Sequence, residues 1–359
     1  MWRLVPVLDL GRRQEQSWTV PTLQRAIRAT VIATVALVGL SSGGAAALSA
    51  PSDSKLVLRT RGLITGWGGL HVSKRNVAFI LGDVQAAVWS PKTRVLRRYS
   101  MRACLRERTS EWWIALSTSS LYWECDYQGA GPSLARLYGV VLGRGRPFRL
   151  GRSSQSYSLA SDGRDAVILH GGKLWRLVGN RKVGLRPRVG GGAGGEILSV
   201  AAGRILVRRY SDGATFVQSL NGTLRQEVPD GGDLTACCVV SLIWKDNQPS
   251  LSVYDISAKS IVHEWPLPFA PSDNHCCDDF DIGNEFAAFV PVRGSPNRYG
   301  IYVLRLATGD VSFIPVPTRV DVLRIGRGGV YYARNVRGRG ELYFRSLAKL
   351  HLASLPRSG

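Results

Sequence analysis

The sequence predicts an all-β chain, a closed ring of small antiparallel sheets, on three observations. Compact apolar runs alternate with turn clusters, as in Phe286-Ala287-Ala288-Phe289-Val290, the Gly/Pro/Asn/Arg turn Arg293 to Arg298, Tyr299 to Leu306, the tight turn Thr308-Gly309-Asp310 and Val311 to Val316. Read with a period of two, this is a meander of short strands. The unit recurs about seven times, with apolar strands at Val77, Ile114, Ala166, Ile205, Val240, Phe286 and Val330, about 35 to 52 residues apart. Repeats of about 40 to 50 residues built from four short strands are β-propeller blades. Finally, Phe286 to Val290 and Cys238 to Ile243 are apolar at nearly every position, so both faces of these sheets are covered. One small sheet cannot do that alone, and its neighbours must stack on it. No amphipathic helix is evident after Pro51, and forty glycines and ten tryptophans beside two methionines suit turns and aromatic-packed sheets.

Taken in order, residues 1–50 read as a signal peptide or membrane anchor with an N-terminal extension. Arg12, Arg13, Arg25 and Arg28 precede the uncharged run Ala29 to Leu40, and small residues follow to Ala50. That is the charged, apolar and small-residue sequence of a secretory signal. The apolar core is about a dozen residues, short of the roughly 20 a spanning helix needs. Cleavage is therefore expected ahead of retention as an anchor. Residues 51–359 are expected to form the propeller domain.

Blade one is expected from His71 to Arg98, with strands Val77 to Ile80 and Ala86 to Trp89. Blade two takes Trp112 to Leu116, Leu121 to Cys125, Leu137 to Val141 and Pro147 to Leu150. Blade three takes Ala166 to Leu169 and Leu174 to Val178, and blade four takes Ile197 to Val200, Arg204 to Arg208, Thr215 to Leu220 and Thr223 to Val228. Cys238 to Trp244, Leu251 to Ile256 and Ser260 to Trp265 make blade five, and Asp281 to Pro317 makes blade six. Blade seven has Val320 to Ile325, Gly329 to Ala333 and Glu341 to Ser346. Asp53 to Gly62 is left to supply its outer strand and close the ring without an exposed edge. Seven blades are expected, with six and eight as the alternatives.

The units resemble those of TolB-type and WD-repeat-like propellers. The pattern of a strand ending near Thr-Gly-Asp before the next strand is carried best by Tyr302 to Phe313 and more loosely by Tyr254 to Trp265. The Trp-Asp dipeptide of WD repeats is absent. The resemblance covers most of residues 51–359 and implies a fold and a habit of binding, with no reaction attached.

The formal net charge is +21, carried by 39 arginines and eight lysines against 26 acidic residues. An anionic partner is one reading; compositional drift toward arginine is the other. The arginines are scattered along the chain, which argues against a nucleic-acid footprint clustered on one face. Local basic runs do occur in expected turns, and Arg144, Arg146, Arg149, Arg334, Arg337 and Arg339 are the candidate binding residues. A further basic run spans Arg181 to Arg188. If these loops open on one face they form an anion-binding rim.

Six cysteines, Cys104, Cys125, Cys237, Cys238, Cys276 and Cys277, read as disulfides in an exported chain. Cys104 and Cys125 are expected to pair within one blade. One or two bonds are expected from Cys237-Cys238 across to Cys276-Cys277, joining blades five and six. Adjacent cysteines beside His275, Asp278 and Asp279 fit a zinc site poorly, because ligands usually stand two to four residues apart. No metal and no cofactor is expected.

Catalytic constellations mostly fail. Gly131-Pro132-Ser133-Leu134-Ala135 lacks the second glycine of a nucleophile elbow. Gly190 to Gly195 lacks the Lys-Ser/Thr of a phosphate loop and reads as a connection between blades three and four. Ser211-Asp212-Gly213 and Asn221-Gly222-Thr223 read as hairpin turns. Five histidines, His71, His170, His263, His275 and His351, lie on different blades. The leading expectation is an exported, extracytoplasmic scaffold, secreted or membrane-anchored, that binds a protein or an anionic envelope polymer through a loop-lined face. Membrane contact is expected only through the N-terminal segment, if it is retained. The alternative is a hydrolase or lyase with Asp278, Asp279, Asp281, Glu285 and His275 gathered in a central channel.

Overall fold

The computed structural model describes residues 54–65, 69–82, 85–105, 111–126, 134–185, 195–222, 225–229, 231–245, 248–267, 277–291, 299–326 and 328–352. All of these fall in the unit Ser49–Gly359. The expected signal or anchor segment, His275 and Cys276 lie outside the described residues.

Seven antiparallel sheets follow one another along the chain. Blade one has an interrupted inner strand, Ile64–Thr65 and His71–Val72, then Val77–Leu81, Gln85–Trp89 and Leu96–Ser100. The inner strands of blades two to seven are Glu111–Leu116, Ser158–Ser161, Gly195–Ala201, Asp233–Leu234, Cys277–Ile282 and Val322–Gly326. Each is followed by strands paired in sequence order. The last sheet is completed by the first strand of the chain, Lys55–Arg59, which pairs antiparallel with Arg339–Ser346. The expected closing strand is thus in place. Among the described residues the helical structure is slight, a turn at Arg102–Leu105 and another at Leu347–Lys349.

The alternation of side chains explains why these strands are apolar throughout. In Val77–Leu81, Val77 and Phe79 pack with Val322, Ala333 and Leu342 of blade seven, whereas Ala78 and Ile80 pack with Ile114 and Trp123 of blade two. In Phe286–Pro291, Ala287 and Phe289 face Val240 and Leu251 of blade five, and Ala288 and Val290 face Leu323 and Val330 of blade seven. Three further clusters lie between blades two and three, three and four, and four and five. Every blade therefore serves two interfaces with the two faces of one pleat.

One assignment changes register. Ile114 lies in the inner strand of blade two, and the counterpart of Val77 or Ala166 is Leu121 in Ser120–Asp126. The inner strand of that blade is as apolar as the second strands elsewhere, so the sequence pattern did not separate them. With Leu121 in its place, the longest interval falls from about 52 to about 46 residues.

Neighbouring blades are also joined by polar contacts. Trp265 of blade five donates its indole Nε1–H to the Leu306 carbonyl of blade six at 2.8 Å. Its ring lies over Gly309, which has φ +75°. A Cβ there would meet Trp265 at 2.5 Å. Gly309→Ala is expected to lower stability by about 2 kcal/mol, combining the cost of a left-handed backbone with displacement of the indole. A denaturant midpoint measures this, with Trp265 fluorescence reporting the displacement.

The cysteines divide. Cys104, in the turn leaving blade one, is bonded to Cys125 of blade two with Cα atoms 5.5 Å apart. Closing a loop of 21 residues contributes about 3 kcal/mol in the chain-entropy account. Cys237 is bonded to its neighbour Cys238, in place of the expected bridge to blade six. The reason is which end of the blade each occupies. Cys238 begins the second strand beside the turn that follows Asp233–Leu234. Cys277 begins the inner strand Cys277–Ile282 opposite Pro291, at the far end of blade six. A six-residue strand at about 3.3 Å per residue separates those ends by well over the roughly 7 Å that a disulfide spans.

Candidate functional site

The inner strands have neighbours on one side only, so their other backbone groups need partners. Side chains of adjacent blades supply them. The Leu323 and Ile325 N–H groups of blade seven donate to Asp279 Oδ2 and Asp281 Oδ2 of blade six at 2.7 and 2.6 Å. Ser161 of blade three accepts from Leu116 of blade two, and Ser158 accepts from Ile197 of blade four. Asn335 of blade seven closes the circle, accepting from Ile64 N–H at 2.8 Å and donating to its carbonyl at 2.7 Å.

Within this ring lies a cavity of about 1000 Å³ that takes residues from all seven blades. It opens at the end where first and second strands are joined, and its wall includes His71, Thr118, Ser161, Ser199, Asp233, Asp281 and Arg324. Five inner strands place a polar residue here followed by an apolar one: His71-Val72, Ser199-Val200, Asp233-Leu234, Asp281-Ile282 and Arg324-Ile325. The polar member lines the cavity, and the apolar member packs in or against an inter-blade cluster. This dipeptide before a turn is the signal by which Asp233 and Arg324 could have been found in the sequence; strand periodicity alone passed over both.

Charge concentrates on blades five to seven. Arg324 Nη1 contacts Asp281 Oδ1 at 2.8 Å, with Asp281 only 4% exposed. Burial pushes the Asp281 carboxyl up to about 7. Arg324 and the Ile325 N–H pull it down, while Asp233 and Asp279 add to the rise. Burial likewise raises Asp233, opposed by Arg324 and the Ser199 hydroxyl. The folded Asp281 keeps its proton to higher pH than the unfolded one, so stability from this group falls between about pH 4 and about pH 7. Asp281→Asn lacks that slope. Its unfolding midpoint, relative to the parent, is expected to climb across that window and level off above it.

Of the acid/base set expected for an enzyme, Asp281 and Glu285 both line the cavity, and His275 lies outside the described residues. Asp279 and Asp281 hold backbone N–H groups of blade seven, and Glu285 stands exposed at the rim. Of the histidines, His71 lines the cavity, His170 packs at a tilt beside Tyr157, His263 stacks on Trp265 in an outer strand, and His351 is exposed near the C-terminus.

The candidate arginines occupy two faces. Arg144 and Arg146 are exposed in the turn joining the third and fourth strands of blade two, and Arg149 follows in its outer strand. Arg337 and Arg339 flank the turn joining the second and third strands of blade seven. In an antiparallel meander these two kinds of turn lie at opposite ends, so the six residues do not form one rim. Arg334 is engaged internally: its Nε and Nη2 donate to Glu341 Oε2 at 3.1 and 2.9 Å, and its guanidinium lies 4.7 Å over the Tyr343 ring. Burial acts to raise the Glu341 carboxyl, but the Tyr343 hydroxyl, Arg334 and Arg59 outweigh it and hold it below its usual range. This network ties the closing strand to blade seven through Arg59 Nε at 3.0 Å from Glu341.

A surface feature that the sequence reading missed lies at the end opposite the cavity mouth. Of the large apolar residues exposed among those described, Leu63, Trp113, Tyr210, Trp244 and Tyr299 all stand at or near that end. Leu63 and Trp113 lie at the beginnings of inner strands, Tyr210 and Trp244 at the ends of second strands, and Tyr299 before a third strand. Among the described residues no helix is long and apolar enough to cross a membrane.

No protein-family model matches the chain, and no curated protein matches it. Solved propellers do. The β-propeller domain of Myceliophteria thermophila Cps50 (Swd1) aligns at 10% identity and TM-score 0.48, covering 82% of this chain and 100% of that one. PorZ, a surface component of the type-IX secretion system of Porphyromonas gingivalis, aligns at 12% identity and TM-score 0.48 over 84% of this chain and 40% of its own. The β-propeller domain of the trilobed protease from Pyrococcus furiosus aligns at 8% identity and TM-score 0.48, over 81% of this chain and 96% of its own.

Proposed function

We propose that the chain is an exported binding scaffold whose propeller docks a protein partner on the face opposite the cavity mouth. The observation that carries this reading is the gathering there of Trp113, Tyr210, Trp244 and Tyr299, which are 42 to 61% exposed. Aromatic residues with arginine are the groups that concentrate binding energy at protein interfaces, and Arg337 and Arg339 lie toward the same end. Export is supported by the charged, apolar and small-residue succession of residues 1–50 and by the Cys104–Cys125 disulfide.

The test is affinity capture from an envelope fraction, comparing the parent with Trp113→Ala/Trp244→Ala and with Arg144→Ala/Arg146→Ala on the other face. The reading expects one identified protein to be retained at high salt by the parent and the arginine variant, and lost with the tryptophan variant. Capture that disappears with salt, or follows Arg144 and Arg146, would instead favour an anionic polymer held by charge.

A further inference from the structure

We propose that the channel cavity is a binding site for an organic cation, a ligand that presents an ammonium or guanidinium group to Asp233 between blades four and seven. The cavity evens out the basic excess of the chain, with four acidic side chains to four basic. The full sequence has 47 basic and 26 acidic residues, yet Asp162, Asp233, Asp281 and Glu285 line this space beside Lys74, Arg164, Arg305 and Arg324. Each of the three guanidinium groups already faces a carboxylate: Arg324 with Asp281 at 2.8 Å, Arg164 with Asp165 at 3.9 Å and Arg305 with Asp310 at 3.9 Å. Lys74 stands exposed in the first turn of blade one.

On the wall formed by blades four to seven, one guanidinium therefore serves two inward carboxyls. Asp233 receives the Ser199 hydroxyl and shares the field of Arg324, whose nearest contact is Asp281. The groups bearing on Asp281 are Arg324 and the Ile325 N–H from blade seven, Asp233 from blade five and Asp279 from its own strand. Once both carboxyls are ionised, above about pH 7 for Asp281, two acids against one base leave a negative charge without a counter-ion in a low-dielectric recess. A bound cation completes the set.

Size and ligand count favour an organic cation over a metal. About 1000 Å³ is at the upper end of small-molecule pockets and far exceeds a bare ion. Among the described residues no group of three or more His, Cys, Asp or Glu side chains is placed to hold a metal. Thr118, Ser161 and Ser199 add hydroxyl-bearing side chains to the cavity wall.

Calorimetric titration of the purified chain with agmatine, spermidine and a short arginine-containing peptide tests this at pH 6 and pH 8. The expected result is saturable one-to-one binding by at least one of the three. Asp233→Asn should weaken it tenfold or more, and binding should be weaker at pH 6, with a proton released near neutrality as the cation stabilises ionised Asp281. Tighter binding by the peptide points to a basic side chain of a partner loop, and tighter binding by agmatine or spermidine points to a free amine. Glu285→Gln, exposed at the rim, is a second variant that leaves the buried pair intact and should weaken binding severalfold. Absence of saturation at millimolar concentrations, or affinity unchanged in both variants, would overturn the proposal. The aromatic face plays no part in this titration, so the two readings fail separately.

Discussion

A chain that starts at Thr60, without the closing strand Lys55–Arg59, is expected to lose cooperative folding. Blade seven would be left with three strands, and the edge of Arg339–Ser346 would lie open along its length. Val57 and Leu58, packed against the cluster between blades seven and one, would go with it. So would the Arg59–Glu341 contact, leaving Arg334 as the remaining basic partner of a carboxylate only 10% exposed. The combined loss is on the order of 5 kcal/mol, which approaches the whole stability of many domains. An open edge in an all-β chain also invites pairing between molecules. Chains starting at Ser52 and at Thr60, compared by soluble yield and thermal unfolding, should give one sharp transition for the first and aggregation or a broad transition for the second.

Phe289→Ala is the next largest effect expected, at about 3 to 5 kcal/mol. Phe289 is fully buried in the cluster between blades five and six, where Val240, Leu251 and Tyr302 surround it. The rigid sheets on either side limit how far the cavity can relax. Phe280 stacks on Phe289 at 6.4 Å between ring centroids but is 40% exposed. Phe280→Ala should therefore cost about 1 kcal/mol or less. Denaturant midpoints of the two variants separate a stacked-blade interface from a generic aromatic contact.

The second and third strands were legible because a sheet covered on both faces must be apolar at successive positions. Val77 to Ile80 and Phe286 to Val290 satisfy two interfaces at once. Inner strands were harder, since their cavity-facing residues are polar and several strands are short. Asp233–Leu234 contains two residues, and the stretch read as blade six began at Asp281, inside the inner strand Cys277–Ile282. Blade two failed in the opposite way, with an inner strand too apolar to distinguish. The cysteine pairing depends on which end of a blade each residue occupies, which spacing does not encode. The same holds for the arginines and exposed aromatics. Their faces follow from the strand order within each blade, and the sequence displays only their distance along the chain.

The claim on which the rest depends is that the first strand completes the seventh blade and so closes the ring. Lys55 and Phe344 are register partners across that junction. The double variant Lys55→Cys/Phe344→Cys should oxidise to a disulfide between those two positions in the folded protein, mapped by mass spectrometry of the non-reduced digest. Because the bond would enclose nearly the entire propeller, the oxidised form should be more stable than the reduced form by on the order of 5 kcal/mol. A folded protein in which both introduced thiols remain open to alkylation, or in which the thiol on the first strand links to any blade but the seventh, would contradict the closed ring.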